Sequence, residues 1–127
     1  MTTTILTIED QPDIRRLIRM TLEFKGFEVL EAADGPQGLA IARARRPALI
    51  LLDVMMPGVD GLTVSRTLAA DPVLGRIPLV MLSALGTPAD VQAGLSTGVH
   101  AYLIKPFSPW ELLDMVERLT SGASAAA

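Results

Sequence analysis

The stretch Ala48-Leu49-Ile50-Leu51-Leu52-Asp53 decides how this chain folds. Its first five residues are all apolar and do not alternate with polar ones, as they would in a strand that faces water on one side. A short apolar run of this kind is typical of a parallel strand that is buried on both faces of a sheet. The sequence therefore predicts a central strand that places Asp53 at its carboxyl end.

Four further apolar runs flank this stretch, at residues 5–8, 27–30, 77–82 and 101–104. The segments between the runs have apolar residues at the spacing of one helix face, as at Ile14, Leu17 and Leu22. Strand and helix thus alternate five times along the chain. This alternation predicts the α/β class, with a five-stranded, doubly wound parallel sheet and helices on both of its faces.

The length and the composition limit the classes of function. The 127 residues are enough for one domain, half of them are apolar, and the formal net charge is −3. An acidic balance does not favour nucleic acid or a membrane as a direct partner, because both attract basic surfaces. The chain has no cysteine, which excludes disulfides and thiolate metal sites. We expect a cytoplasmic protein, with one domain over residues 1–120 and a flexible C-terminal tail or linker stub over residues 121–127.

Polar or charged residues end four of the five predicted strands, namely Asp10, Asp53, Ser83 and Lys105. In open α/β sheets, ligands bind beyond the carboxyl ends of the strands, at the point where the strand order reverses. Residues that are far apart in the sequence should therefore meet at one edge of the sheet. We expect these four side chains to form one pocket together with Glu9.

Three carboxylates in such a pocket would repel one another, so at least one pKa should rise above its ordinary value. A hard divalent cation removes the conflict, and Mg²⁺ prefers a few carboxylates together with water. On its own, the pair Glu9-Asp10 would equally suit a solvated strand end or a helix cap. Asp53 favours a cation site, because an unpaired carboxylate is costly to bury at the end of an apolar strand.

Asp53 is the residue that we expect to carry the chemistry, because a carboxylate can attack phosphorus to form an acyl phosphate. Lys105 can neutralise the carboxylates and then pair with a phosphoryl oxygen, although an ordinary ion pair with Asp53 would also explain it. Ser83 can donate its hydroxyl hydrogen to a phosphoryl oxygen, and a serine there would also suit a helix cap or a turn. A cis bond between Lys105 and Pro106 would direct the lysine into the pocket.

Taken together, these residues resemble the receiver domains of two-component response regulators, up to about Thr120. The resemblance rests on Glu9-Asp10, residues 53–61, Ser83-Ala84 and Lys105-Pro106-Phe107, in this order and at the spacing of the family. It implies a flavodoxin-like (βα)5 receiver fold and a phosphorylation-dependent signalling switch. A histidine kinase or a phosphotransfer protein would donate the phosphoryl group from a histidine to Asp53. The domain would catalyse only its own phosphorylation and dephosphorylation, so it would not be an enzyme.

The same resemblance implies a role for each residue around the cation. Asp53 and Asp10 would bind Mg²⁺ directly, Glu9 would bind it through water, and the backbone carbonyl of Met55 would complete the protein ligands. Glu9 stands where many members of the family have Asp. Met55 and Leu85 lie where the family tunes the lifetime of the phosphoryl group. Because both are apolar and neither can orient an attacking water, we predict a long-lived phosphoryl group.

Ser83 and Tyr102 resemble the switch pair of the family. On phosphorylation, Ser83 would move toward the phosphoryl group and Tyr102 would turn inward behind it. This change would remodel the surface of the fourth helix, the last strand and the last helix. That surface would then control a downstream protein target or an output domain, or form a phosphorylation-dependent homodimer. Ordinary packing against the core is the alternative for Tyr102.

The sequence leaves several other interpretations open. The chain would also fit a receiver fragment cut from a hybrid histidine kinase or from a multidomain regulator. An aspartate-nucleophile phosphohydrolase also uses Asp, Mg²⁺ and Lys, but it needs a second carboxylate where Met55 lies. A binding module that had lost phosphorylation would be expected to lack Asp53, Lys105 or an acidic ligand. Phe107 and Trp110 would form either a small docking patch or local packing.

Overall fold

The computed structural model describes residues 3–53, 61–83, 89, 91–92, 96 and 99–126. Five strands form one sheet, in which all neighbours pair in parallel and the order is β2-β1-β3-β4-β5. The strands are β1 (Thr4–Ile8), β2 (Glu28–Ala32), β3 (Leu49–Asp53), β4 (Leu79–Ser83) and β5 (Ala101–Ile104). The predicted α/β class and the doubly wound parallel sheet are confirmed.

Helices cover both faces of this sheet. α1 (Pro12–Phe24) and a C-terminal helix (Pro109–Ala126) pack on one face, and α2 (Gly35–Arg45) and α3 (Gly61–Ala70) pack on the other. A 3-10 turn at Leu74–Arg76 precedes β4. The fourth predicted helix, between β4 and β5, falls largely outside the described residues. Within the part of the chain that is described, no helix is both long enough and apolar enough to cross a membrane.

The central strand β3 is buried from both sides. Leu49 and Leu51 pack into the core layer beneath α1 and the C-terminal helix, whereas Ile50 and Leu52 pack into the layer beneath α2 and α3. All four side chains are at most 1% exposed, and burial of each one contributes about 1.5–3 kcal/mol. The strand contains no polar residue before Asp53 because neither of its faces meets water.

The helix ends follow from the local sequence. Ser108 and Glu111 form a capping box at the start of the C-terminal helix: Glu111 N–H donates to Ser108 Oγ, and Ser108 N–H donates to Glu111 Oε1, each at 3.1 Å. Asp34 caps α2 by accepting a hydrogen bond from Gln37 N–H at 2.8 Å. After α1, Gly26 adopts a φ of 87°, which glycine reaches without steric cost.

The helix α2 lies close to β1, and Gly38 allows this approach. Gly38 is buried in α2, and a Cβ atom at this residue would lie 2.7 Å from Ile8 Cγ1. That separation is well below the usual contact distance of two carbon atoms. Ile8 is the last residue of β1 and is fully buried. The close approach therefore restrains the strand directly before Glu9.

The C-terminal helix continues through Ala126. Alanines at residues 123, 125 and 126 favour a helical backbone here, because alanine has the highest helix propensity of all residues. The flexible tail or linker stub over residues 121–127 stays a prediction. The end of the domain at residue 120 stays a prediction.

Candidate functional site

The candidate site lies at the carboxyl edge of the sheet, between β1 and β3. Glu9 directly follows β1, and Asp53 is the last residue of β3. The two strands pair in parallel with Ile8 opposite Leu52, so the residues that follow come side by side. The chain passes from β1 to β2 on one side and continues at β3 on the other. The site is therefore at the point where the strand order reverses.

Three carboxylates meet here, as the sequence predicted. Oxygen atoms from the carboxylates of Glu9, Asp10 and Asp53 all lie within 4.8 Å of one another. Glu9 is fully buried, and Asp53 is 2% exposed. Gln11 N–H donates to Glu9 Oε2 at 3.2 Å, which helps to hold the glutamate side chain in the pocket. The fold thus concentrates negative charge where water has little access.

Lys105 enters the same pocket from the end of β5. Its Nζ lies 3.0 Å from Glu9 Oε1 and 3.4 Å from Asp53 Oδ2. The ion pair with Asp53 is present, but the shorter contact joins Lys105 to Glu9. The Lys105–Pro106 peptide bond is cis, and Lys105 N–H donates to the carbonyl oxygen of Ser83 at 2.7 Å. Lys105 is therefore held through its backbone as well as through its side chain.

Buried negative charge dominates the electrostatics of this pocket. The pKa of Glu9 is raised to about 7, first by burial and then by its hydrogen bond with Asp53, while Lys105 acts in the opposite direction. Three carboxyl groups share the single ammonium of Lys105. A negative charge on Glu9 is therefore unfavourable without a further positive charge, and the pocket favours a cation.

A divalent cation fits this set of donors. Asp10 Oδ1 is buried and has no hydrogen-bond partner among the described residues. A buried carboxylate oxygen without a partner is costly, so its position indicates a ligand. Hard oxygen donors of this kind are the ligands that Mg²⁺ prefers. Asp10 and Asp53, together with Glu9, are the residues that would hold the ion.

Ser83 and Tyr102 lie on neighbouring strands next to this pocket. Ser83 ends β4 and is fully buried, while Tyr102 in β5 is half-buried and packs against the core beneath α2 and α3. Tyr102 lies opposite Met81, two residues before Ser83, so both side chains face the same side of the sheet. Met55 and Leu85, the two residues predicted to tune the lifetime of the phosphoryl group, fall outside the described residues.

One residue near the site was not predicted from the sequence. Arg15 Nη1 donates to the carbonyl oxygen of Glu9 at 2.8 Å, and Arg15 Nε lies 3.4 Å from Glu31 Oε1. The sequence indicated only that Arg15 lies away from the apolar face of α1. Side chains of a helix lean toward its N-terminus. An arginine in the first turn of α1 can therefore reach back to the Glu9-Asp10 pair, and its position in the sequence was the signal that could have predicted this contact.

Comparison with known families now identifies the arrangement. The family model described as the response regulator receiver domain matches residues 5–117, which include every described residue of the pocket. The chain is a response regulator receiver domain. The resemblance that its sequence motifs carry is therefore confirmed.

A curated relative shows how much of a longer protein this receiver domain resembles. The DNA-binding dual master transcriptional regulator RpaA from Synechocystis is 44% identical over 115 residues. The match covers 91% of the receiver domain and 48% of RpaA. The receiver domain thus spans about half the length of the curated relatives that it matches first.

Solved structures of similar sequence share the fold. The chemotaxis protein CheY4 of Vibrio cholerae is 32% identical, with a TM-score of 0.88, and the match covers 94% of the receiver domain and 99% of CheY4. The receiver domain of the sensor histidine kinase PA1611 from Pseudomonas aeruginosa is 31% identical, with the same TM-score and coverages of 95% and 99%. That structure has a magnesium ion coordinated in its active-site cleft. These neighbours confirm the predicted receiver fold.

Proposed function

We propose that this receiver domain is a signalling switch in which Asp53 accepts a phosphoryl group from a histidine kinase or a phosphotransfer protein. The observation that carries the proposal is the position of Lys105 Nζ, 3.0 Å from Glu9 and 3.4 Å from Asp53 in a buried acidic pocket. Phosphoryl transfer depends mainly on positioning and on positive charge around the transferred group. The pocket offers a nucleophile, an ammonium and further carboxylates for a cation.

Asp53 is the nucleophile in this proposal. One of its carboxylate oxygens attacks the phosphorus of a phosphohistidine as the P–N bond breaks, and the leaving imidazole keeps or takes up a proton. The new P–O bond makes an acyl phosphate on Asp53. Lys105 then pairs with a phosphoryl oxygen, because its Nζ already lies 3.4 Å from Asp53 Oδ2. The domain catalyses only its own phosphorylation and dephosphorylation.

The cation that we propose for the pocket is Mg²⁺. When bound, it supplies positive charge that reduces the repulsion between the phosphoryl oxygens and the carboxylates. Asp10 and Asp53 would bind it directly and Glu9 through water, with the carbonyl of Met55 as a further ligand outside the described residues. The buried oxygen of Asp10 supports this assignment, and so does the magnesium ion in the similar receiver of PA1611.

Ser83 and Tyr102 are the residues that we propose to carry the signal outward. They lie on adjacent strands and face the same side of the sheet, so a movement of Ser83 toward a phosphoryl group affects the space around Tyr102. The edge strand β5 also presents Ile104, which is 44% exposed. We propose that this strand and the helices beside it contact a protein target or an output domain, with a phosphorylation-dependent homodimer as the alternative.

The comparisons support three contexts for the same switch. CheY4 is matched over almost its whole length, RpaA over about half, and the third receiver belongs to a sensor histidine kinase. A stand-alone regulator, a multidomain regulator and a hybrid kinase are therefore all represented. We propose a cytoplasmic domain without direct contact to nucleic acid, because its formal net charge is −3. The DNA binding named for RpaA concerns a protein about twice as long.

Intact-mass spectrometry after incubation with acetyl phosphate and Mg²⁺ tests the proposal. We expect one phosphoryl adduct on the wild type and none on Asp53→Asn or in the presence of a chelator. Asp114→Asn is the matched control, because Asp114 is exposed on the C-terminal helix and pairs with Arg118. This control should be phosphorylated like the wild type.

The outcomes separate the proposal from its rivals. An adduct that survives in Asp53→Asn would show that another residue is the acceptor. A folded wild type that neither binds Mg²⁺ nor forms an adduct would support a phosphorylation-independent binding module. The same assay followed over time measures the lifetime, and loss of the adduct within seconds would contradict the long-lived phosphoryl group that Met55 and Leu85 predict.

A further inference from the structure

The backbone around Glu9 is held on both sides. Glu9 N–H donates to the carbonyl oxygen of Ala32 in β2 at 3.0 Å, and the Glu9 carbonyl oxygen accepts a hydrogen bond from Arg15 Nη1 at 2.8 Å. This carbonyl belongs to the peptide group that joins Glu9 to Asp10. Because a peptide group is planar, a contact that fixes its oxygen also fixes the direction in which the chain leaves toward Asp10.

Arg15 is itself held in place by a second contact. Its Nε lies 3.4 Å from Glu31 Oε1, and the other oxygen, Glu31 Oε2, is 3.1 Å from Arg19 Nη1. The Arg15 side chain is 21% exposed, so it is largely shielded from water. A guanidinium is a rigid fork with several donors. Arg15 can therefore bind the carbonyl of Glu9 and the carboxylate of Glu31 at the same time.

We propose that Arg15 is a positioning residue for the cation site: together with Glu31, it fixes the Glu9–Asp10 peptide so that the Asp10 carboxylate points at the bound cation. The inference rests on the proposed function, since it takes the acidic pocket to bind Mg²⁺. Arg15 carries a positive charge close to the pocket, and this charge by itself repels a cation. Removal of Arg15 thus weakens cation binding if the residue acts by positioning, and strengthens binding if it acts by charge alone.

A titration of the folded domain with Mg²⁺ alone, followed by calorimetry, separates these two effects. We expect Arg15→Met to weaken Mg²⁺ binding about tenfold, because partners that orient metal ligands typically change metal affinity by 10–100-fold. Arg16→Met is the matched control. Arg16 is the next residue of α1, is exposed, and has no hydrogen bond or ion pair to any described residue. This control removes the same charge and should keep the dissociation constant within about twofold.

Two further variants test the geometry of the contact. Arg15→Lys keeps the positive charge but lacks the fork, so we expect it to weaken Mg²⁺ binding as well, by about threefold or more. Glu31→Gln leaves Arg15 intact and removes the charge that anchors it, and we expect a weakening of a similar size. The double variant Arg15→Met, Glu31→Gln should bind no more weakly than Arg15→Met, because both substitutions act through the same peptide.

The phosphorylation rate provides a readout that general destabilisation would not reproduce. In Arg15→Met, we expect a higher Mg²⁺ concentration at half-maximal rate with acetyl phosphate, and a maximal rate close to that of the wild type. Arg15→Lys, which keeps the positive charge, gives the same test if the methionine variant does not fold. Unchanged or tighter Mg²⁺ binding in these variants overturns the positioning role and leaves the proposed function intact. A folded wild type that binds no Mg²⁺ overturns both.

Discussion

The two ends of the sheet carry ion pairs of almost the same length in very different surroundings. At the amino end of β2, Arg45 Nη2 lies 3.1 Å from Glu28 Oε1, and the two side chains are 53% and 48% exposed. At the carboxyl end of β1, Lys105 Nζ lies 3.0 Å from Glu9 Oε1, with exposures of 16% and 0%. Judged by these distances alone, the two ion pairs would be expected to contribute equally to stability.

Burial separates the two pairs. Water screens the exposed pair, which contributes little to stability, typically about 0–1 kcal/mol. Charges at the carboxyl end lose their water, so each one must be matched by a partner, and removing one partner is costly. Glu9, Asp10 and Asp53 outnumber the single ammonium of Lys105. The sheet therefore tolerates excess charge at the edge where a ligand can balance it, and keeps ordinary surface pairs at the other edge.

The largest effect that tests this comparison is expected for Lys105→Met. Its loss should slow phosphorylation by acetyl phosphate about 100-fold, since loss of one donor to a developing anion usually costs 10²–10³ in rate. Mg²⁺ binding should become tighter in the same variant, because a competing positive charge is gone. Initial rates from intact-mass spectrometry and calorimetric titration measure the two changes. A rate within threefold of the wild type would mean that Lys105 is only a structural ion pair.

An intermediate effect is expected for the pH dependence of stability without Mg²⁺. The pKa of Glu9 is about 7 in the folded chain and has the ordinary value of 4.5 in the unfolded chain, so the folded state favours the protonated form. The stabilisation is complete below pH 4.5 and is lost as the pH rises toward 7 and above. We expect the free energy of unfolding to fall over this window by an amount on the order of 2–3 kcal/mol.

Urea unfolding with a chelator at pH 5, 6, 7 and 8 measures this loss. In Glu9→Gln, the fall in the free energy of unfolding that comes from Glu9 should be absent. In Glu23→Gln, a substitution on the exposed surface of α1, this fall should remain. Mg²⁺ added at pH 8 should restore stability to the wild type, because a ligand that binds the folded state shifts the equilibrium. A wild type and a Glu9→Gln variant with the same pH profile would contradict the assignment.

The smallest effect is expected at the exposed pair. Arg45→Met should change the free energy of unfolding by less than about 1 kcal/mol and leave Mg²⁺ binding unchanged. Urea unfolding at low and at high salt measures the contribution, which should shrink further as salt screens the charges. If Arg45→Met lowered the free energy of unfolding as much as the loss of the buried Lys105–Glu9 ion pair does, burial would not distinguish the two ends of the sheet.

The sequence predicted the fold well where a local pattern of residues is enough to define an element. The wholly apolar run before Asp53 is typical of a buried parallel strand, and the structure places it at the centre of the sheet. β2 was predicted at residues 27–30 but spans Glu28–Ala32. Glu31 lies outside the predicted run, yet it belongs to β2, where it pairs with Thr7 of β1 and its carboxylate pairs with Arg15 and Arg19. Such a pairing between distant elements is not visible in a local pattern.

The candidate site could be predicted for a topological reason. Parallel strands end at one edge, so Asp10, Asp53 and Lys105 had to converge once the strands were assigned. The sequence did not reveal which carboxylate Lys105 approaches more closely, because that depends on side-chain distances of a few tenths of an ångström. It also did not reveal the contact of Arg15 with the backbone of Glu9, since every carbonyl looks alike in a sequence.

Gly38 shows how far from the pocket the behaviour of the switch can be set. Residue 38 has no side chain to bind a cation or a phosphate, yet a single methyl group there would press on Ile8, the neighbour of Glu9. Arg15 holds the same short segment from the other layer of the fold. Mutations in the packing of either layer can therefore change the timing of the signal, even at positions that do not line the pocket.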